Sequence, residues 1–306
     1  MVYDIIILGS GPAGLTAALY GARANKNVLV LGGDSLGGQM GGIAKLENYP
    51  GFAGSGMELA EFMKKQAESF GAKIVFTTAK TIRESRIPNS EFRFAVAAGD
   101  GKEYESKTII IATGASPRKL EIGGAKEFFG KGVSYCATCD GFFYSGKIVA
   151  VYGGGNSALE DALYLANVAK KVRIIYRKSA FTRAEAILVE RVKNTANIEC
   201  VFDTEIESIG GNDTGVTHIV TRTANSESRI PISGLFVAIG HEANTDFLGE
   251  EFKRDELGRL VAEGPRVAEG IFTAGDVRSG NKMQISVAVG WGCEAAMDAV
   301  AYLNKL

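Results

Sequence analysis

Two sets of residues in this sequence have the types and spacing to do chemistry. One is a thiol pair, Cys136-Ala137-Thr138-Cys139, followed at once by Asp140. The other is a pair of glycine turns, Gly9-Ser10-Gly11-Pro12-Ala13-Gly14 and Gly153-Gly154-Gly155-Asn156-Ser157-Ala158. A Cys-x-x-Cys can hold zinc, lie inert as two buried thiols, or act as a redox dithiol. Zinc needs four ligands; there is no second cysteine pair here, only His218 and His241 far off in sequence. The redox reading is the one the context favours, because the pair lies between the two glycine turns. Its two-residue gap lets the sulfurs close a small ring, and a suitable neighbourhood lowers one thiol's pKa so that a thiolate attacks.

The elements that must position these residues are visible as an internal repeat. Ile5-Ile6-Ile7-Leu8-Gly9 recurs as Val149-Ala150-Val151-Tyr152-Gly153, and the register holds through Ala18/Ala162, Leu19/Leu163, Tyr20/Tyr164 and Lys26/Lys170. Each copy ends in a second apolar strand, Val28–Leu31 and Val172–Ile175. Both therefore read as strand, glycine turn, helix, strand: one βαβ unit each. In such a unit the first glycine makes the tight turn, the second lets backbone approach a pyrophosphate, and the third allows close helix–strand packing. The helix N-terminus then presents unpaired N–H groups and the positive dipole end to phosphate. Two such fingerprints in register are a far stronger signal than one.

A further echo supports two dinucleotide sites. Ile109-Ile110-Ile111-Ala112-Thr113-Gly114 and Leu235-Phe236-Val237-Ala238-Ile239-Gly240 are apolar strands ending in A-x-G, and Ile271-Phe272-Thr273-Ala274-Gly275-Asp276 is a third. Asp276, at a strand's carboxyl end, is placed to bond a ribitol or ribose hydroxyl. The second repeat lies between the first two echo strands. The expected fold class is thus α/β, with two Rossmann-like dinucleotide-binding domains, the second inserted in the first: residues 1–116 with 244–306, and residues 117–243. An acidic residue at the end of the second strand usually accepts the ribose 2′-OH. Copy one has Leu31-Gly32-Gly33 there, with Asp34 late, which disfavours NAD. Copy two has Tyr176-Arg177-Lys178, with Arg183 further on, cations that fit the 2′-phosphate of NADPH.

These segments, taken with Gly37-Gly38-Gln39, Glu47-Asn48-Tyr49-Pro50-Gly51 and Cys136-Ala137-Thr138-Cys139-Asp140-Gly141, resemble the low-molecular-weight bacterial thioredoxin reductases from Tyr3 to Leu303. The resemblance implies the three-layer FAD/NAD(P)-binding fold, FAD on copy one, NADPH on copy two, a thioredoxin-like partner and a homodimer. It implies that Gly38, Gln39, Asn48, Thr113, Gly114, Asp276, Gln284 and Ile285 lie along the flavin. It also implies that Cys139 faces the flavin, that Cys136 is the interchange thiol, and that Asp140 protonates the departing thiolate. Three departures stand out. The nucleotide loop has Tyr176-Arg177-Lys178 in place of His-Arg-Arg, with Thr182 at the usual arginine spacing and Arg183 one residue late. Met283 precedes Gln284 where the family has Arg, and Trp291 precedes Gly292-Cys293 where it has a small or polar residue. Some relatives take electrons from ferredoxin and have lost this loop, so a ferredoxin-driven enzyme with the same dithiol stays open. A non-catalytic nucleotide-binding redox sensor is the alternative of a different class.

Composition bounds the rest. The 306 residues are 46% hydrophobic and 23% charged, as in ordinary globular proteins. With 34 Lys plus Arg against 35 Asp plus Glu, there is no basic field for nucleic acid or an anionic membrane. The 39 glycines are about twice the average share of ~7%, while prolines number only six. Such an excess points to tight turns and backbone lying against ligands. Apolar runs are strand-sized, short of the ~20 residues a membrane span requires, and a strand begins almost at the N-terminus, leaving no room for a signal peptide. Four cysteines in this length form no disulfide scaffold, which fits a reducing, cytoplasmic compartment.

Overall fold

The computed structural model describes residues 1–43, 45–86, 92–224 and 226–306. In chain order the elements are β1 (Val2–Leu8), α1 (Pro12–Arg23), β2 (Val28–Leu31), α2 (Gly56–Ser69), β3 (Lys73–Val75), β4 (Ala79–Arg86), β5 (Phe92–Ala98), β6 (Glu103–Ile111) and β7 (Ala115–Pro117). There follow β8 (Val133–Ser134), α3 (Ala137–Asp140), β9 (Ile148–Tyr152), α4 (Asn156–Ala166), β10 (Lys171–Ile175), α5 (Ala186–Lys193), β11 (Ile198–Val201), β12 (Glu205–Asn212), β13 (Gly215–Arg222), β14 (Glu227–Pro231) and β15 (Gly234–Val237). The chain closes with β16 (His241–Ala243), β17 (Arg266–Ala268), β18 (Ile271–Thr273) and α6 (Ile285–Leu303). It divides into two compact units, Met1–Ser116 with Glu242–Leu306, and Pro117–His241. The return crossing therefore falls two residues before the expected boundary at 243/244.

In the first unit, β18, β6, β1, β2 and β3 run in that spatial order as a parallel sheet, with β17 added antiparallel at one edge. The antiparallel β4–β5 hairpin hangs on β6. A strand buried on both faces must be apolar at every position, and β1 shows it. Ile5 and Ile7 pack with α1 and α6, whereas Ile6 and Leu8 join Phe94, Leu248 and Phe252 on the opposite face. The α1–α6 contact is made close by small residues: Gly292 leaves so little room that a Cβ there would stand 2.2 Å from the Ala13 carbonyl oxygen.

In the second unit β11, β10, β9, β15 and β8 form an all-parallel sheet, and β12–β14 an antiparallel one. The sequence repeat extends to hydrogen-bonding register. Ile5 pairs with Val28 and Thr108, and its counterpart Val149 pairs with Val172 and Gly234. α4 buries Ala158, Leu159, Ala162 and Leu165 against this sheet. No helix among the described residues is long and apolar enough to cross a membrane.

Candidate functional site

In the first unit the glycine turn is built against the neighbouring strand end. Gly9 has φ +111°, and a Cβ on it would lie 2.3 Å from the Ala112 carbonyl oxygen; one on Gly14 would lie 1.9 Å from that of Gly9. Gly11, by contrast, faces open space, its nearest neighbour 3.9 Å away. Pro12 opens α1 at the position where its missing N–H costs nothing. The helix start carries no side-chain cap and no acidic residue, so its N–H groups and dipole end are left for an anion. Ser10 is buried, with its hydroxyl within bonding distance of the Gly32 and Ser35 carbonyls at 2.7 and 3.1 Å; it ties the turn to the end of β2.

Other residues expected along a flavin either lie near this turn or are bonded elsewhere in the same unit. Gly37 N donates to Ser10 O, and a Cβ on Gly38 would meet Gly11 at 3.6 Å. Gln39 Nε2 donates to the Ala115 carbonyl at 3.0 Å. Asn48 Nδ2 donates to Gln284 Oε1 at 3.3 Å, joining two residues 236 positions apart. Gln284 is the N-cap of α6, directly before Ile285. Gly275 takes φ +77° with Ala13 beneath it, which sets Asp276 in a short 3-10 turn beside α1. Burial raises the Asp276 pKa, partly offset by Arg259. Thr113 and Asn244 exchange two bonds: Thr113 Oγ1 donates to Asn244 O at 2.8 Å, and Asn244 Nδ2 to Thr113 O at 2.9 Å. Gly114 follows at φ +67°. Sequence reasoning missed Asn244, since a lone asparagine in a connector carries no motif. Trp291, expected in the flavin surroundings, has the Arg278 guanidinium 4.3 Å above its ring, and Arg278 pairs with Glu294.

The second unit repeats the construction. A Cβ on Gly153 would stand 2.1 Å from Ala238 O, the equivalent of Ala112, while Gly155 has nothing within 4 Å. Ala158 occupies the third-glycine position and is fully buried. Asn156 and Glu185 bond reciprocally, Nδ2 to Oε1 and Glu185 N to Oδ1, both at 2.8 Å, so the start of α4 is tied to the start of α5. Ser157 lies in the first turn of α4. Tyr176 is buried against Gly154 and Phe181, whereas Arg177 and Arg183 are exposed and Lys178 is partly so. Neither arginine has a carboxylate partner among the described residues.

Cys136 and Cys139 are joined as a disulfide, with Cα atoms 5.3 Å apart. Cys136 caps α3, its Sγ accepting from Cys139 N at 3.2 Å, and the short helix packs on α4, where Tyr164 Oη donates to Thr138 O at 3.5 Å. Thus the sulfur pair and the second glycine turn are held by one helix. Asp140 is anchored by a residue the sequence reading passed over: Ser134 Oγ lies 2.6 Å from Asp140 Oδ2 and accepts from Cys136 N at 3.0 Å. Among the described residues no group of three or more metal-ligating side chains occurs.

With this geometry in place, the match of residues 3–292 to the pyridine nucleotide-disulphide oxidoreductase family is decisive. The chain belongs to that family, among the thioredoxin reductases. Family membership implies a flavin and a nicotinamide cofactor, and the two-domain FAD/NAD(P)-binding fold. A thioredoxin reductase of Rickettsia bellii is 44% identical over 98% of both chains. A crystal structure of Lactococcus lactis thioredoxin reductase matches this oxidoreductase with a TM-score of 0.93 and 35% identity, covering 99% of this chain and 100% of that one. A ferredoxin-flavin thioredoxin reductase from Clostridium acetobutylicum matches at 29% identity and a TM-score of 0.52, covering 100% and 99%.

Proposed function

We propose that this oxidoreductase reduces thioredoxin with electrons from NADPH, through FAD and the Cys136–Cys139 pair. The observation that carries the reading is the disulfide itself, closed at the start of a helix and followed by a carboxyl anchored to the same turn. The residues present fit both cofactors. The open face at Gly11, the uncapped start of α1, and Gly38, Gln39, Asn48, Asp276, Gln284 and Ile285 form a cradle for FAD. The open face at Gly155, the start of α4, and Arg177, Lys178 and Arg183 would hold NADPH; two exposed, unneutralised arginines support a 2′-phosphate over a bare ribose. Bound, the two cofactors supply the two-electron reduction of the sulfur pair.

The chain's own residues do the rest. In the reduced protein the Cys136 thiolate attacks one sulfur of the partner's disulfide. A mixed disulfide forms, the partner's internal S–S bond breaks, and its second sulfur leaves with the electron pair, taking a proton from Asp140. Cys139 then attacks Cys136 Sγ, which restores the Cys136–Cys139 bond and releases the partner as a dithiol. Two electrons have moved from dithiol to partner. Exposed Tyr20 on α1, Met57 and Phe62 on α2 and Met297 on α6 support a homodimer, to be checked by sedimentation. The composition supports a cytoplasmic protein. The similarity to a ferredoxin-flavin enzyme supports a second reading in which ferredoxin is the donor. Steady-state turnover with thioredoxin, supplied in turn with NADPH, NADH and reduced ferredoxin, tests the proposal: NADPH is expected to be preferred, and turnover with ferredoxin alone would overturn it.

A further inference from the structure

We propose that Ser134 is the positioning residue for proton transfer at the dithiol, holding Asp140 by one oxygen so that the other carries the proton; this deepens the reading above and rests on it. Ser134 ends β8, is 3% exposed, and is fixed by pairing with Phe236 of β15. A buried hydroxyl is tolerated when its donor and acceptor are both used. Ser134 Oγ accepts from Cys136 N at 3.0 Å, and its one proton has two acceptors in reach, Asp140 Oδ2 at 2.6 Å and Cys136 O at 3.3 Å. The shorter contact, to a charged group, takes the proton. Asp140 is thereby tied to the backbone of the sulfur-bearing turn.

The bond suits both states of the carboxyl. As a carboxylate, Asp140 accepts from Ser134 at Oδ2. When protonated on Oδ1, its Oδ2 is a carbonyl oxygen and still accepts. Oδ1 has no hydrogen-bond partner among the described residues. The orientation therefore survives each loading and loss of the proton that passes to the partner's leaving sulfur. Other groups around Asp140 are Tyr144 in the next turn, whose pKa burial and then Asp140 raise, Lys147 over the Tyr144 ring, and Tyr164 from α4 on Thr138 O. None of these makes a hydrogen bond to the carboxyl.

The test uses pre-reduced holoenzyme mixed with oxidised thioredoxin in single turnover, for wild type, Ser134→Ala, Ser134→Thr, Asp140→Asn and the Ser134→Ala/Asp140→Asn double variant. A wild type that does not reduce thioredoxin would sink the parent reading, not this one. Ser134→Ala is expected to slow the interchange about 30-fold. Reduction of the flavin by the nucleotide stays within about twofold, Ser134→Thr restores the rate, and Ser134→Ala adds nothing in the Asp140→Asn background. Equal loss in both half-reactions, failure of Ser134→Thr to restore the rate, or a full additive loss on top of Asp140→Asn would overturn the assignment.

Discussion

The ring of Tyr176 lies on Gly154 so closely that a Cβ at position 154 would stand 2.5 Å from three of its carbons. Phe181 stacks on the same ring at 5.8 Å and meets Phe202 edge-on at 5.0 Å. Tyr176 is only 8% exposed. In the sequence this residue reads as part of a cationic nucleotide loop; in the fold its side chain is a floor under the glycine turn.

Truncating that floor removes packing that nothing can replace. Tyr176→Ala is expected to cost about 3 kcal/mol of unfolding free energy, and Tyr176→Phe less than about 1. Urea midpoints of the holoenzyme measure both, and an unchanged midpoint for the alanine variant would contradict the packing.

The glycines separate into structural and ligand-facing kinds. Gly14→Ala drives a Cβ into the Gly9 carbonyl and is expected to lose at least about 2 kcal/mol, together with flavin content. Gly155→Ala meets nothing within 4 Å, so the melting temperature should hold while KM for the nucleotide rises. Flavin absorbance per protein, thermal melting and initial rates together distinguish the two.

How much of this could be read beforehand depended on periodicity. The parallel sheets and both glycine turns were legible because fully buried strands must be apolar and tight turns must be glycine. β4–β5 and β12–β14 were not, since half-buried antiparallel strands such as Glu205–Asn212 mix polar and apolar residues without a motif. The pairing of Ser134 with Asp140 was hidden for another reason: it depends on how a strand end turns into a helix, not on spacing alone. Cys136, Cys139 and Asp140, the residues proposed for the site, stand out in the sequence because they are adjacent in it.

Asp161 on α4 has its pKa raised to about 7 by burial, with Glu160 adding to the shift. A carboxyl whose folded pKa is above its unfolded value binds more protons when folded, so stability falls as pH rises from about 4 through about 7 and then levels. Asp161→Asn stays neutral throughout and should be more stable than wild type above pH 7, by about 2–4 kcal/mol. Thermal melts from pH 5 to 9 check this; parallel curves for the two proteins would contradict it.

Arg177 and Arg183 are the exposed cations of the second unit's loop. Replacing either with Glu should raise KM for NADPH more than about tenfold and leave that for NADH within about threefold. Equal effects on both nucleotides would remove the 2′-phosphate role.

The most direct measurement is anaerobic stopped-flow mixing of the purified flavoprotein with NADPH, followed by oxidised thioredoxin. The flavin absorbance is expected to bleach at least as fast as turnover and to return when thioredoxin is added, and the return should be lost in Cys136→Ser. Bleaching by reduced ferredoxin but not by NADPH, or a return that survives loss of Cys136, would contradict the proposed electron path.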